Sequence, residues 1–176
     1  MVLFFLFVSM LLLFSNLHTY SRLIAEQDVA EVLVKKVTDG KYQLEVAFGH
    51  DQTGVFLING DEWQLDVRII KWKSWANLIG LDSYFQLDRI SGRYKEIDQA
   101  NANQTTAYKI LKEERGLSLW KLKRLIGKRL AFLDTYFGQS VFMPMQHLAE
   151  YKLSITQSGL VARPSNEIAK QALEAW

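Results

Sequence analysis

The 176-residue sequence has no cysteine, only two prolines, and no Lys, Arg, Asp or Glu between Met1 and Tyr20. Each absence closes off a class of function. Without cysteine there is no disulfide framework, no thiolate nucleophile and no sulfur-ligated metal, although a lack of disulfides is compatible with either side of a membrane. Two prolines and no Ser- or Gly-rich tract leave no interdomain linker, and no segment repeats at solenoid or propeller periods. Gly49, Gly54 and Gly60 are spaced for turns, not for a phosphate loop. The histidines, His18, His50 and His147, are scattered, and His50 with Asp51 falls short of the three or four ligands that zinc requires. No Gly-x-Ser-x-Gly elbow is present, and Ser74 and Ser140 have no evident base. The sequence therefore implies no cofactor, no metal and no catalytic residue. With 21 basic against 19 acidic residues, no overall field draws the chain to nucleic acid.

Met1 to Tyr20 are a presence as well as an absence of charge, because Val2 to Phe14 run apolar except for Ser9. Twenty residues in a helix rise about 30 Å, the hydrocarbon thickness of a bilayer. No basic residue precedes the run, and Ser15-Asn16-Leu17-His18 after it is no small-x-small cleavage site. The expectation is an uncleaved single-pass anchor over residues 1–21, in preference to a signal peptide or a buried core helix. Arg22, Lys35 and Lys36 lie on its C-terminal side, which taken literally keeps the domain in the cytoplasm. Short N-terminal anchors commonly deliver their domain across the membrane, so the side stays open.

After a helical neck over 22–28, residues 29–176 have the size of one domain. Val32, Val34 and Val37 lead to a turn at Asp39-Gly40, and Tyr42, Leu44, Val46 and Phe48 alternate with polar residues. Asn59-Gly60 predicts a type I′ hairpin with Ile58 opposite Asp61 and Phe56 opposite Trp63. Its second strand, reaching Trp72, has Trp63, Leu65, Val67 and Ile69 on one face and Glu62, Gln64, Asp66 and Arg68 on the other. A single helical turn is expected from Ser74 to Gly80, then a strand from Tyr84 to Ile90 closed by Ser91-Gly92.

A helical insertion is expected over about 98–127, with Ala107, Tyr108, Ile110 and Leu111 at helical spacing and a second helix capped by Ser118. Phe132 to Phe137 and Val141 to Met145 flank Gly138-Gln139 as a hairpin. Tyr151, Leu153 and Ile155 form a strand turning at Ser158-Gly159 into Leu160 to Arg163. Pro164-Ser165 opens a C-terminal helix with an apolar stripe of Ile168, Ala169, Ala172, Leu173 and Trp176. About seven or eight short strands define an α+β class, mainly antiparallel: a partly open barrel or sandwich with a helical insertion and a C-terminal helix.

Three constellations can carry function. Asp66, Arg68, Asp88 and Arg93, with Arg89, can gather on one sheet face, either as cross-strand ion pairs or as the carboxylates of a hydrolase-like enzyme. Ser118 to Leu130 holds five basic residues and no acid. Lys121, Lys123, Arg124 and Lys128 surround an apolar stripe of Leu119, Leu122 and Ile126, the pattern of a helix that lies on anionic lipid or packs on a core. Trp72 and Trp75 between Lys71, Lys73 and Leu78 suit a membrane or protein interface, or the end of a barrel. A barrel with an internal cavity of several hundred Å³ is the third option, holding a small apolar ligand. Nucleic-acid binding is not expected, since the basic cluster is helical and not an aromatic sheet surface.

Gly60-Asp61-Glu62-Trp63-Gln64-Leu65-Asp66, Lys71-Trp72, Trp75-Ala76-Asn77-Leu78 and Leu87-Asp88-Arg89-Ile90-Ser91-Gly92-Arg93-Tyr94 resemble a family of small bacterial membrane-anchored proteins of unknown function. Tyr136-Phe137-Gly138-Gln139-Ser140, Phe142-Met143-Pro144-Met145, Ala162-Arg163-Pro164 and Asn166 are similar to its later motifs. Members are sometimes labelled "cation/multidrug efflux pump". One span cannot form a translocation pathway, so the resemblance implies at most an accessory to a pump. It implies an anchored β domain at a bacterial inner membrane, with no catalytic or ligand-binding residue to carry over. The expected function is non-enzymatic: a membrane-anchored accessory protein of the cell envelope that meets anionic lipid or an envelope protein through Trp72, Trp75, Lys121, Lys123, Arg124 and Lys128.

Overall fold

The computed structural model describes residues 1–11, 26–49, 52–72, 84–110, 133–156 and 158–176. Among them the alternating β-branched and aromatic stretches form strands β1 (Gln27–Thr38), β2 (Lys41–Phe48), β3 (Gln52–Asn59), β4 (Glu62–Trp72) and β5 (Tyr84–Arg93). They are followed by β6 (Ala107–Lys109), β7 (Leu133–Pro144), β8 (Glu150–Ile155) and β9 (Leu160–Pro164). Helix α1 covers residues 2–11, α2 Ile97–Ala102 and α3 Glu167–Glu174.

The strands make two open sheets, ordered β3-β2-β1-β8-β9 and β6-β5-β4-β7, and every pairing is antiparallel. The expected antiparallel β class therefore holds. Val32, Val34, Leu44, Val46, Ile58, Tyr151 and Leu153 of the first sheet and Trp63, Leu65, Val67, Ile69 and Ile90 of the second are buried together as one core. Across it, Trp63 meets Tyr151 edge to face at 5.6 Å, and the Tyr151 hydroxyl donates to the Pro144 carbonyl at 2.8 Å. Two seams join the sheets at their flanks. On one, Tyr108 Oη donates to the Leu57 carbonyl at 3.0 Å; on the other, Gln139 accepts from Leu160 N at 2.8 Å and donates to Leu160 O at 3.2 Å.

Several local expectations are overturned by tertiary pairing. Asn59-Gly60 does not close a hairpin: Ile58 pairs with Tyr42, whereas Trp63 pairs with Gly92 and Met143. At Gly60 the chain crosses from one sheet to the other, with φ +133 and its N–H on the Gly40 carbonyl at 3.0 Å. A side chain there would sit 2.5 Å from the Arg93 carbonyl oxygen, so glycine is required for the close approach. β2 already holds β3, and β4 takes β5 and β7 on its two edges, leaving no place for the local hairpin. Gly138-Gln139 is likewise no turn, because β7 runs unbroken for 12 residues against β4.

The helical insertion is corrected in its described part, residues 98–110. Among the described residues of 98–127 there is only the six-residue α2, and Ala107–Lys109, read as helical, adds an edge strand to β5. The second expected helix and the turn at Ser74 to Gly80 lie outside the described residues. β1 begins at Gln27, so the end of the expected helical neck is strand. α3 is capped by Asn166, whose Oδ1 accepts from Ala169 N at 2.9 Å; Pro164 closes β9 instead of opening the helix.

The expected transmembrane helix is not supported as such. No helix among the described residues is long and apolar enough to cross a membrane. Helix α1 rises only about 15 Å at 1.5 Å per residue, and the rest of 1–21 lies outside the described residues.

Candidate functional site

The outward face of the second sheet carries a cluster of charges paired across its strands. Its central strand β4 turns Trp63, Leu65, Val67 and Ile69 inward, so Glu62, Gln64, Asp66 and Arg68 turn outward by the two-residue period. In β5 a bulge intervenes: Asp66 pairs with Arg89 but Val67 with Leu87, which leaves Asp88 as the extra residue. The bulge lets Asp88 and Arg89, adjacent in sequence, both engage β4 side chains of this face.

Arg89 Nη2 lies 2.6 Å from Asp66 Oδ2, and Arg68 Nη2 lies 2.9 Å from Asp88 Oδ2. Asp66 also accepts from Ser140 Oγ at 2.6 Å and Gln64 Nε2 at 2.7 Å. Burial pushes the Asp66 carboxyl up, but the hydrogen bonds from Gln64, Ser140 and Arg89 outweigh it and the net shift is downward. A general base working near neutrality needs the opposite shift. The face binds its own charges: each carboxylate has a guanidinium partner on the neighbouring strand.

Arg93 stands apart from that quartet. Its Nη1 lies 3.3 Å from Glu62 Oε2, and its guanidinium stacks over the Phe142 ring at 4.2 Å. Glu62 is only 3 % exposed, an unusual degree of burial for a carboxylate. It is covered by Trp176, whose Nε1 donates to Glu62 Oε1 at 2.7 Å and whose ring meets Phe142 edge to face at 5.6 Å. Lys95 Nζ donates to the Trp176 carbonyl at 2.8 Å. An aromatic–guanidinium–carboxylate stack thus closes one end of the face.

The structure brings together Asp66, Arg68 and Asp88 of the expected polar cluster and places Arg93 on a separate carboxylate. Glu62 was legible only as one more outward residue; its partner Trp176 is 114 positions away, beyond any local pattern. Ser140 as a ligand of Asp66 was hidden by the false turn at Gly138-Gln139. Trp72 ends β4, whereas Trp75, Lys121, Lys123, Arg124 and Lys128 lie outside the described residues. Among the described residues no three His, Asp or Glu side chains are grouped to hold a metal ion. A concavity of about 580 Å³ lies against the first sheet, lined by Glu31, Leu33, Glu45, Val55 and Glu150. Beside these more exposed residues its lining includes the core residues Val32, Val46 and Tyr151. No protein-family model, no curated protein and no solved structure matches the chain.

Proposed function

We propose that the chain is a membrane-attached, non-enzymatic β module, an accessory protein of a bacterial inner membrane that binds at the lipid surface. The observation that carries this reading is α1. Its apolar side chains are open on every side: Leu3 is 83 % exposed, Phe4 and Phe5 65 %, Leu6 61 % and Phe7 64 %. A helix apolar all round belongs in a core or in lipid, and among the described residues no core surrounds α1. The charge-free sequence continues to Tyr20, which supplies the remaining length of a bilayer-deep segment.

Further support comes from the second sheet, where paired charges and the lowered Asp66 carboxyl speak against the hydrolase-like alternative. The basic residues Lys121, Lys123, Arg124 and Lys128 match anionic headgroups, at about 1 kcal/mol each near the surface. The resemblance to small bacterial membrane-anchored proteins points the same way.

Membrane fractionation tests the reading. The full-length chain is expected to remain in the membrane pellet after alkaline carbonate and to leave it only with detergent. A variant lacking residues 2–20 is expected in the soluble fraction, and it should float with anionic vesicles unless Lys121, Arg124 and Lys128 are all changed to Glu. A full-length chain found freely soluble rejects the proposal.

A further inference from the structure

The first sheet ends at β3, and the hydrogen-bonding groups of that edge can be counted. The Leu57 carbonyl accepts from Tyr108 Oη at 3.0 Å and the Asn59 N–H donates to Thr106 Oγ1 at 3.0 Å, so the odd-numbered residues of β3 point away from β2. In an antiparallel strand a residue's N–H and C=O face the same side and alternate along the chain. Thr53 and Val55 therefore present two N–H and two C=O groups to solvent, with no partner among the described residues. Both residues are exposed, Val55 by 65 %.

The strand, Gln-Thr-Gly-Val-Phe-Leu-Ile-Asn, carries no charge and no proline, the two features that ordinarily keep an edge from pairing. Such an edge is a template for another strand. Tyr108 and Thr106 occupy it beyond Val55, which limits the free stretch to a few residues.

We propose that this edge is a self-association surface, on which β3 of a second copy docks antiparallel about a two-fold axis through Gly54. Only a register of Thr53 against the second copy's Val55, and the reverse, uses all four free groups, in two doubly hydrogen-bonded pairs. No like charges meet, because the strand has none, and Val55 packs beside a second β-branched side chain. The two-fold consumes both free stretches, so pairing through this edge stops at two chains.

The chain's lack of cysteine makes the register directly testable in the full-length protein in membranes. Thr53→Cys combined with Val55→Cys is expected to give a disulfide-linked dimer under mild oxidant, since paired Cα atoms lie about 5.5 Å apart, within disulfide reach. Either substitution alone places the two thiols on Cα atoms roughly 9 Å apart, offset by two residues, and should link at least ten-fold less. As a second measurement, Val55→Pro removes an N–H that the monomer does not use. It is expected to keep the wild-type circular dichroism while halving the mass seen by light scattering in detergent. Absence of a linked species, equal linking by the single variants, or a linked product of any mass other than two chains overturns the proposal.

Discussion

The indole N–H of Trp176 donates a 2.7 Å hydrogen bond to Glu62, a carboxylate 3 % exposed at the start of the central strand. The tryptophan ring sits edge to face on Phe142, which in turn lies under Arg93. The chain segment after α3 thereby covers a buried charge that β4 alone would leave to water.

Replacing Trp176 by Phe keeps an aromatic ring against Phe142 but strands Glu62 Oε1 without its donor. The expected loss is about 1–3 kcal/mol, the cost of an unsatisfied buried polar group. Urea denaturation of the full-length chain in detergent should show it as a lower midpoint. A midpoint equal to wild type means that the bond contributes nothing net.

Gly92 faces Asn59 where the chain crosses between the sheets, and a Cβ there would sit 1.9 Å from the Asn59 carbonyl oxygen. Backbone cannot yield as a flexible side chain would. Gly92→Ala is expected to cost about 3 kcal/mol, the upper end of ordinary overpacking. Gly49→Ala, where a Cβ would meet nothing within 4 Å, should change stability by less than about 0.5 kcal/mol. Thermal melts of the pair measure the contrast.

Asp66 has a carboxyl pKa below its ordinary 3.8 in the folded chain. In the unfolded chain the group takes up its proton first as pH falls, so its contribution is complete above that ordinary value and is lost on acidification through the lower folded value. Asp66→Asn should therefore shrink the acid-side loss of stability below about pH 4. Guanidinium midpoints measured from pH 6 downward should converge for the two proteins at the acid end.

Tyr151 behaves oppositely at high pH. Burial raises its phenol from 10.0 to about 12. The unfolded chain ionises first as pH rises past 10, so stability declines from there until the folded phenol ionises too. Tyr151→Phe forfeits the 2.8 Å bond to Pro144 and is expected to be less stable at pH 7, yet to lose less than wild type between pH 10 and pH 12. Parallel alkaline limbs for both proteins would show that Tyr151 does not titrate as a buried group.

Most strands were legible because burial on one face imposes a two-residue alternation that needs only local sequence. Leu44 and Val46 against Gln43 and Glu45, or Tyr151 and Leu153 against Lys152, carry it without ambiguity, and the structure buries those apolar residues. The connections were not legible to the same degree. Asn59-Gly60 has the composition of a hairpin turn and serves as a crossing between sheets, because β2 and β5 compete for the flanking strands. Ala107 to Lys109 carries helical spacing and pairs as strand, because an open edge on β5 offers three consecutive partners.

The polar face divides in the same way. Outward placement of Asp66 and Arg68 follows from the alternation of β4, but their partners depend on the bulge that inserts Asp88, a one-residue irregularity with no sequence marker. Ser140 and Trp176 reach the face from distant strands and helix ends.

From the sequence by itself follow the charge-free apolar N-terminus, the antiparallel β class and the inward and outward faces of strands such as β2, β4 and β8, since all three depend on hydrophobicity read over a few neighbouring residues. Tertiary structure alone decided which strands share a sheet, which charges pair, and that Glu62 is buried beneath Trp176. Those outcomes are competitions for hydrogen-bonding edges and covering surface among segments tens of residues apart, and no short window of sequence contains the competitors.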